Sequence, residues 1–336
     1  MAALTLTVAT ETLRLAQPFR IAGHVFECSE VIVVTLDDGD HTGRGEGGGV
    51  FFLGDDVPHM LAGIAAARSA IESGIGREEL RTIMPPGGAR NAVDCALWEL
   101  EANRAGVPVW QLAGQSSPRA LRTTFTLGAD TPAVMAQGAV NYAEARAIKV
   151  KLTGDLDLDS ARVRAIRAAR PDVWLGVDGN QGFAAADLGP LIEVLVAEGV
   201  SLLEQPVARG YERDLEGLAS PVPIAGDESI LSLEDIPGAV GRYQVVNIKL
   251  DKCGGLTEGL LMAEKARALG LDVMVGNMVG TSLAMAPGFV LGQLCDVVDL
   301  DGPTFLARDR VPGVTYANGD IFADPAVWGS GAPVAA

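Results

Sequence analysis

The stretch AIKVKLTGDLDLDSARVRAIRAARPDVWLGVD, residues 147–178, decides the fold. It opens on a short apolar run interrupted by two lysines and passes through the helical stretch LDSARVRAIRAARP. It closes on a second apolar run that ends in Asp178. A strand-length run, an amphipathic stretch and another run make a β-α-β unit, whose helical crossover sets the two strands parallel. The alternation continues outward in both directions. Apolar runs stand at Thr123–Leu127, Ala147–Leu152, Val173–Val177, Ser201–Leu203, Val222–Ala225, Val245–Ile248, Asp272–Val275 and Asp296–Val298. Helical stretches such as LGPLIEVLVAEG and TEGLLMAEKARALG separate them. Eight such units in series predict an α/β chain with a TIM-like (β/α) barrel rather than an open doubly wound sheet. No GxGxxG opens the first unit, which argues against a dinucleotide site.

Upstream of the barrel the pattern is α+β. TLTVATETLRL and SEVIVVTLDDGDHTGRGE alternate as strands around a DDGD turn, while HMLAGIAAARSAIESG and ARNAVDCALWELEANRAG have helical periodicity. The second helix closes on Gly106, with Pro108 just beyond. A polar linker runs from Ala113-Gly114 to Ser116-Ser117-Pro118 and sets the boundary. Residues 1–118 are therefore expected to form an α+β capping domain and residues 119–302 the catalytic barrel. The irregular segment 303–336 should pack back on the cap and complete it.

The 336 residues are 48% hydrophobic and 21% charged, which is the composition of a folded globular chain. A formal net charge of −17 repels phosphate backbones and anionic lipid, so nucleic acid and membrane surfaces are excluded as partners in favour of a small-molecule substrate. Cys28, Cys95, Cys253 and Cys295 are scattered without metal-like spacing, as in a reduced, cytoplasmic protein. The N-terminus MAALTLTVATETLRL lacks the basic and apolar regions of a signal peptide. Val273 to Cys295 carries no charge, but its Asn277, Thr281, Ser282, Pro287 and glycines break it into strand, loop and helix, so no transmembrane segment is expected. The expected assembly is a homo-oligomer.

In a parallel barrel the chemistry lies at the C-terminal ends of the strands. Lys149 and Lys151 share a face by the period-two rule, alternating with Ile148 and Val150. Two lysines aimed into a barrel are costly unless used, and an ammonium at Lys149 should lower the pKa of Lys151 and suit it as a base. The next three strands end in Asp178, Glu204 and Asp227. Three carboxylates converging on one rim repel unless a cation lies between them, and all-oxygen ligation favours Mg²⁺ over zinc. Lys249 ends the sixth strand, four strands from Lys151 and across the barrel mouth. One amine on each face of a metal-held substrate is what a racemase or epimerase needs, with the metal stabilising the charge of an enediolate. Lys252 reads as a surface or supporting charge. Asp299 and Asp301 close the eighth strand on one face, either as an acidic solvated turn or as a pair that binds a substrate ammonium.

The lysine pair KVK, VDGNQ, LLEQP, GDES and NIKLDKCGG stand in this order along the chain, after NAVDCALWELEANRAGVPVWQLAG. Together they resemble the enolase superfamily and, within it, the muconate-lactonising-enzyme-like group. That resemblance implies Asp178, Glu204 and Asp227 as Mg²⁺ ligands and Lys151 and Lys249 as the acid/base pair, with Lys149 the electrostatic partner of Lys151. The DLD at 299–301 is similar to the DxD motif of the dipeptide epimerases, which holds the α-ammonium of a dipeptide. The implied reaction is epimerisation of the C-terminal residue by 1,1-proton transfer, with L-Ala-D/L-Glu as the best-known substrate. Thr126, in the first barrel run, is a further candidate substrate contact.

Two capping loops should shape the pocket. The first, Pro18-Phe19-Arg20-Ile21-Ala22-Gly23-His24, has His24 where Glu-specific members place an arginine, and Arg20 is the alternative contact. The second, Gly47-Gly48-Gly49-Val50-Phe51-Phe52, is glycine-rich and aromatic and suits an apolar side chain. GNMVGTSLAMAP is similar to a branch that includes N-acetylglutamate racemase-like enzymes. An N-acylamino acid racemase, an o-succinylbenzoate synthase or a cycloisomerase are therefore the alternatives within the superfamily. All three histidines, His24, His41 and His59, precede the barrel, which argues against the acid-sugar dehydratases. A barrel without activity, serving only to bind, does not fit a chain in which every metal and base position is filled.

Overall fold

The structure is a computed structural model that describes residues 3–21 and 24–331. Ala22 and Gly23 of the first capping loop, and the last five residues of the tail, lie outside the described residues. Strands β1 (Thr5–Ile21), β2 (His24–Asp37) and β3 (Thr42–Gly48) form an antiparallel meander. Helices α1 (Val57–Glu72), α2 (Arg77–Ile83), α3 (Gly88–Ala105) and the short α4 (Val109–Leu112) follow. One face of the sheet carries Ile32, Val34 and Leu36 at period two. It packs on Met60, Ile64 and Ile71 of α1 and on Ala92, Val93, Ala96 and Leu100 of α3, which recur at helical spacing.

The glycines of β3 have a packing cause. A Cβ at Gly43, Gly45 or Gly47 would lie 2.1–2.2 Å from the carbonyl oxygens of Ala96, Ala92 and Gly88. Every second residue of the strand thus rests on the α3 backbone, and only glycine permits that approach. Gly47 and Gly48, read above as the start of a capping loop, are the end of this strand.

The segment read as the first capping loop is also largely strand. β1 and β2 pair Phe19 with Phe26, Arg20 with Val25 and Ile21 with His24, after a register shift between Arg14 and Phe19. Pro18 hid the continuation, since proline ends most strands but is tolerated on an edge strand at an irregularity.

Next come β4 (Leu121–Arg122), β5 (Phe125–Leu127), α5 (Pro132–Asn141), β6 (Ala147–Lys151), α6 (Leu156–Ala169), β7 (Trp174–Asp178) and α7 (Ala185–Ala197). The chain continues through β8 (Leu202–Glu204), β9 (Ile224–Gly226), α8 (Ile236–Ala239), β10 (Val245–Lys249), α9 (Leu250–Cys253), α10 (Leu256–Ala268), β11 (Asp272–Gly276), α11 (Ser282–Gly292) and β12 (Val297–Val298). Strands β5 to β12 are parallel and adjacent in chain order. A hydrogen bond from Thr124 N to Val298 O (3.0 Å) joins the first barrel segment to the last strand. Ile148, Val150, Leu175 and Val177 belong to one buried cluster with Val163, Ile166, Leu188, Leu191 and Leu195 of α6 and α7, so the alternate residues are left for the barrel interior.

The apolar stretch from Val273 resolves into β11, a loop and α11, and no helix among the described residues is long and apolar enough to cross a membrane. Past β12 the chain forms β13 (Thr315–Ala317) and β14 (Asp320–Phe322), which pair with each other, and β14 pairs with β4 in a small sheet separate from the barrel strands. Leu306 bridges Leu15, and the Trp328 indole donates to Arg44 O at 2.9 Å, so the tail lies against the β-meander.

Candidate active site

The strand register assembles the site. Lys151 pairs with Asp178 and Asp178 with Glu204 across β6, β7 and β8, so three functional side chains sit on one rung. Asp227 follows the last residue of β9. Asp178, Glu204 and Asp227 are 0–2% exposed, and one carboxylate oxygen from each lies within 4.8 Å of the others. Burial and the charges of Asp178 and Asp227 push the Glu204 carboxyl up to about 8. Its Oε1 accepts from Asn247 Nδ2 at 2.9 Å. Its Oε2 is buried without a hydrogen bond, although the Lys149 ammonium stands 2.8 Å away. A buried carboxylate oxygen without a hydrogen bond, beside two further carboxylates, is a donor set shaped for a hard divalent cation. The residues therefore fit Mg²⁺.

The lysines hold the acids in place. Lys151 Nζ is 2.6 Å from Asp178 Oδ2, and Lys249 Nζ is 2.6 Å from Asp227 Oδ2. Lys149 lies among Asp178 (3.2 Å), Glu204 (2.8 Å) and Asp299 (2.9 Å). Burial works against its charge, but these carboxylates outweigh burial and hold its pKa well above the ordinary lysine value. The influence expected of Lys149 on Lys151 was a repulsion between two ammonium groups. The structure places a carboxylate shared by both lysines between them, because Asp178 bonds one and touches the other. Lys249 is raised in the same way by Asp227, against its burial and against Lys149. Burial would raise Asp178 and Asp227, but the lysines prevail: Asp178 falls to about 2 and Asp227 lies well below the usual range.

Lys252 is not a surface charge. It is 2% exposed, 2.5 Å from Asp227 Oδ1, and it also donates to the carbonyls of Asp227 and Asn247. The one-turn helix α9 after β10 tucks it beneath the carboxylate. Gln205 ties two strand ends together: its Oε1 accepts from Asp227 N (2.9 Å) and Ser229 N (3.2 Å). Its backbone is left-handed at φ 33°, as are Asn180 at 43° and Gln181 at 66°, all just past Asp178 or Glu204. Backbone strain of this kind collects where a site must be held in one geometry.

Asp299 and Asp301 are 4% and 2% exposed, so they do not form a solvated turn. Asp299 bonds Lys149 and the Thr124 hydroxyl, which hold it below its ordinary range in spite of burial. Asp301 accepts from Thr126 N at 2.7 Å, makes no ion pair among the described residues, and is pushed up to about 7 by burial and by Asp299. Thr126 therefore touches the second aspartate through its backbone.

Lys151, Lys249, Asp227, Asn180 and Glu228 line one cavity of about 350 Å³, whose outer wall is Phe19, Ile21, Phe26, Phe51, Phe52, Met278 and Val279. Arg20 and His24 are not part of this wall. Arg20 lies beside a neighbouring cavity with Thr126, 4.0 Å from Asp130. His24 is exposed and its ring rests against Phe26 and Phe51 at centroid distances of 4.8 and 5.2 Å. Glu228 and Asn247 escaped the reading of the sequence. Asn247 was legible, since it shares the parity of Lys249. Glu228, with Oε2 buried without a hydrogen bond and its carboxyl raised to about 7 by burial and by Asp227, carried no periodic signal.

The profile described as Mandelate racemase / muconate lactonizing enzyme, N-terminal domain, matches residues 3–114, and that described as Enolase C-terminal domain-like matches residues 133–322. The chain belongs to the mandelate racemase/muconate lactonizing enzyme family. Within this family it is 38% identical to an L-Ala-D/L-Glu epimerase of Escherichia coli (strain K12), over 94% of this chain and 99% of the relative. It is 42% identical to an N-acetyl-D-glutamate racemase of Pseudoalteromonas sp, over 72% and 76% of the two chains. Among solved structures, an enolase family member from Agrobacterium tumefaciens with homology to dipeptide epimerases, bound to sodium and L-Ala-L-Glu, superposes with a TM-score of 0.93. That protein is 39% identical, with 97% of this chain and 100% of the other covered. A dipeptide epimerase from Enterococcus faecalis V583 complexed with Mg and L-Leu-L-Tyr gives a TM-score of 0.86 at 29% identity, covering 94% of each chain.

Proposed function

We propose that this chain is a Mg²⁺-dependent isomerase that epimerises the α-carbon of the C-terminal residue of a dipeptide. The observation that carries the reading is the placement of Lys151 and Lys249. They stand four strands apart in the barrel, both line one cavity, and each is 2.6 Å from a carboxylate of the buried acidic triad. Asp178, Glu204 and Asp227 would hold the metal. Bound there, Mg²⁺ would neutralise the triad and polarise a substrate carboxylate, making the adjacent α-proton acidic. Lys151 and Lys249 then face that carbon from opposite sides; one takes the proton and the other returns one to the opposite face. Lys149 helps to hold Asp178 ionised and opposes the upward shift of Glu204. The cap, residues 1–118 with 303–336, closes over the barrel, 119–302, and its aromatic wall excludes water from the acidified carbon. Four free cysteines accord with a cytoplasmic enzyme.

The test is a panel of L-Ala dipeptides with Mg²⁺ in D₂O, read by mass. One or more should take up a single deuterium at the C-terminal α-carbon and appear as both epimers. If none does while N-acetyl-glutamate does, the activity is that of the second reading, an N-acylamino acid racemase. The 42% identity to a racemase favours that alternative.

Asp301 separates the two. Asp299 already has Lys149 as its counter-charge, whereas Asp301 has no ion pair among the described residues and is free to take a substrate ammonium. Asp301→Asn keeps the acceptor oxygen for Thr126 N and removes the charge. Its kcat/KM on a dipeptide should fall by the equivalent of about 2–4 kcal/mol, the loss typical of a buried charge pair. N-acetyl-glutamate, which brings no ammonium, should be handled as by the wild type. Equal losses on both substrates would remove Asp301 from that role.

A further inference from the structure

One buried carboxylate beside the site has no part in the reaction above. Asp251 stands in α9, two residues past Lys249, and is 6% exposed. Its Oδ1 accepts from Gly48 N at 2.9 Å and from Asn91 Nδ2 at 2.8 Å. Gly48 ends β3, and the chain leaving it turns through Gly49, Phe51 and Phe52 to form part of the cavity wall. Asn91 belongs to α3, and its amide also reaches Glu46 O at 3.3 Å. A single oxygen thus gathers three elements: the barrel turn behind Lys249, the last residue of the cap's inner strand and the cap helix beneath it.

We propose that Asp251 is a positioning residue that latches the cap's aromatic turn to the strand end presenting Lys249. Three features support it. The bond is made at the hinge of the turn, since Gly48 is paired with Val31 in the sheet while Gly49 lies outside it. The tip of the turn is open to solvent: Phe51 is 44% exposed, and its ring contacts are with His24, Phe26 and Phe52. A loop in that state opens locally at low free-energy cost unless its root is tied to a rigid element. Finally, burial raises the Asp251 carboxyl to about 6 while the two donors work against that rise, so a neutral group of the same shape is tolerated here.

Both bonds end on one oxygen, and this makes the test clean. Asp251→Asn retains an acceptor oxygen for both donors, whereas Asp251→Ala removes it. Deuterium exchange of the full chain, without substrate, is read on peptides covering residues 46–56. In Asp251→Ala these amides should exchange about tenfold faster, with the barrel helices unchanged, while Asp251→Asn should match the wild type. On L-Ala-L-Phe and L-Ala-L-Glu, Asp251→Ala should raise KM about tenfold with kcat altered less than about threefold, as expected when a wall rather than a reacting group is loosened. Asn should restore it. This kinetic half rests on the epimerase reading and the exchange half does not, so a wild type inactive on both dipeptides counts against that reading while exchange still decides the latch. Unchanged exchange in Asp251→Ala, or an Asp251→Asn protein that behaves like it, overturns the proposal. If Asp251→Ala does not fold, Asn91→Ala, which spares the Gly48 bond, should show a smaller rise in the same peptides; no rise there also overturns it.

Discussion

Replacing Lys151 or Lys249 with alanine should stop epimerisation, with a loss of roughly 10²–10⁴-fold or more, the range supplied by positioned acid–base groups. The two variants should nevertheless differ in what they retain. Each still has one amine on one face of the substrate, so each should exchange the α-proton of one stereoisomer with solvent and leave the other untouched. Neither variant should unfold. Asp178 loses Lys151 but keeps Lys149 at 3.2 Å, and Asp227 loses Lys249 but keeps Lys252 at 2.5 Å. Neither of these two carboxylates is left without a counter-charge, which is the costly outcome when one partner of a buried pair is removed. Proton NMR of each pure stereoisomer in D₂O, with a thermal melt of each variant, checks both halves. Complementary one-sided exchange supports two bases on opposed faces. Full epimerase activity in either variant would mean that its lysine is not a base, and loss of the fold would mean that the charge accounting is wrong.

How far the site could be read in advance follows from where periodicity operates. Lys149, Lys151, Asp178, Glu204 and Lys249 lie in or at the ends of regular strands, where period two and the barrel's polarity state which way a side chain faces. The same rule would have found Asn247. It fails where the chain has turned away from the strand direction. Lys252 sits in a single helical turn, whose direction depends on Gly254 in a left-handed conformation (φ 82°) and on the packing of Arg90 over it, neither of which leaves a local pattern. Glu228 fails for the same reason. In the cap, alternation did mark β2, but Pro18 masked the end of β1. Gly47 and Gly48 read as the start of a loop, whereas Gly43, Gly45 and Gly47 record contact with α3, an element roughly forty to fifty residues away in the chain. Contacts of that span follow from packing and not from local propensity.

The acidic triad gives the other large effect, and its members should not behave alike. Glu204→Gln and Asp227→Asn should each abolish Mg²⁺-dependent turnover, by roughly 10²–10³-fold or more, since each removes a charge from a site that must hold a divalent cation. Their stabilities in chelator should diverge. Asp227 is the carboxylate of both Lys249 (2.6 Å) and Lys252 (2.5 Å), and those two lysines are buried. An amide there retains an acceptor but no charge, so Asp227→Asn should cost about 2–4 kcal/mol, toward the lower end for a broken buried pair. Glu204 is the reverse case. Its charge is opposed by burial and by two neighbouring acids, and its carboxyl is raised to about 8 from an unfolded value near 4.3. A carboxyl raised on folding binds its proton more tightly in the native state, so the metal-free protein is most stable below about pH 4 with respect to this group and loses that stability as pH climbs toward 8. Asp178 and Asp227, whose values are lowered, act in the opposite direction and only at lower pH. Glu204→Gln carries no such penalty. Between pH 5 and 8 in chelator its melting temperature should hold or fall less than that of the wild type, and Mg²⁺ should close the gap by stabilising the wild type alone. A Glu204→Gln protein that melts below the wild type at pH 8 in chelator would show that Glu204 is a structural ion-pair partner of Lys149 rather than a residue kept, at a cost in stability, for the metal.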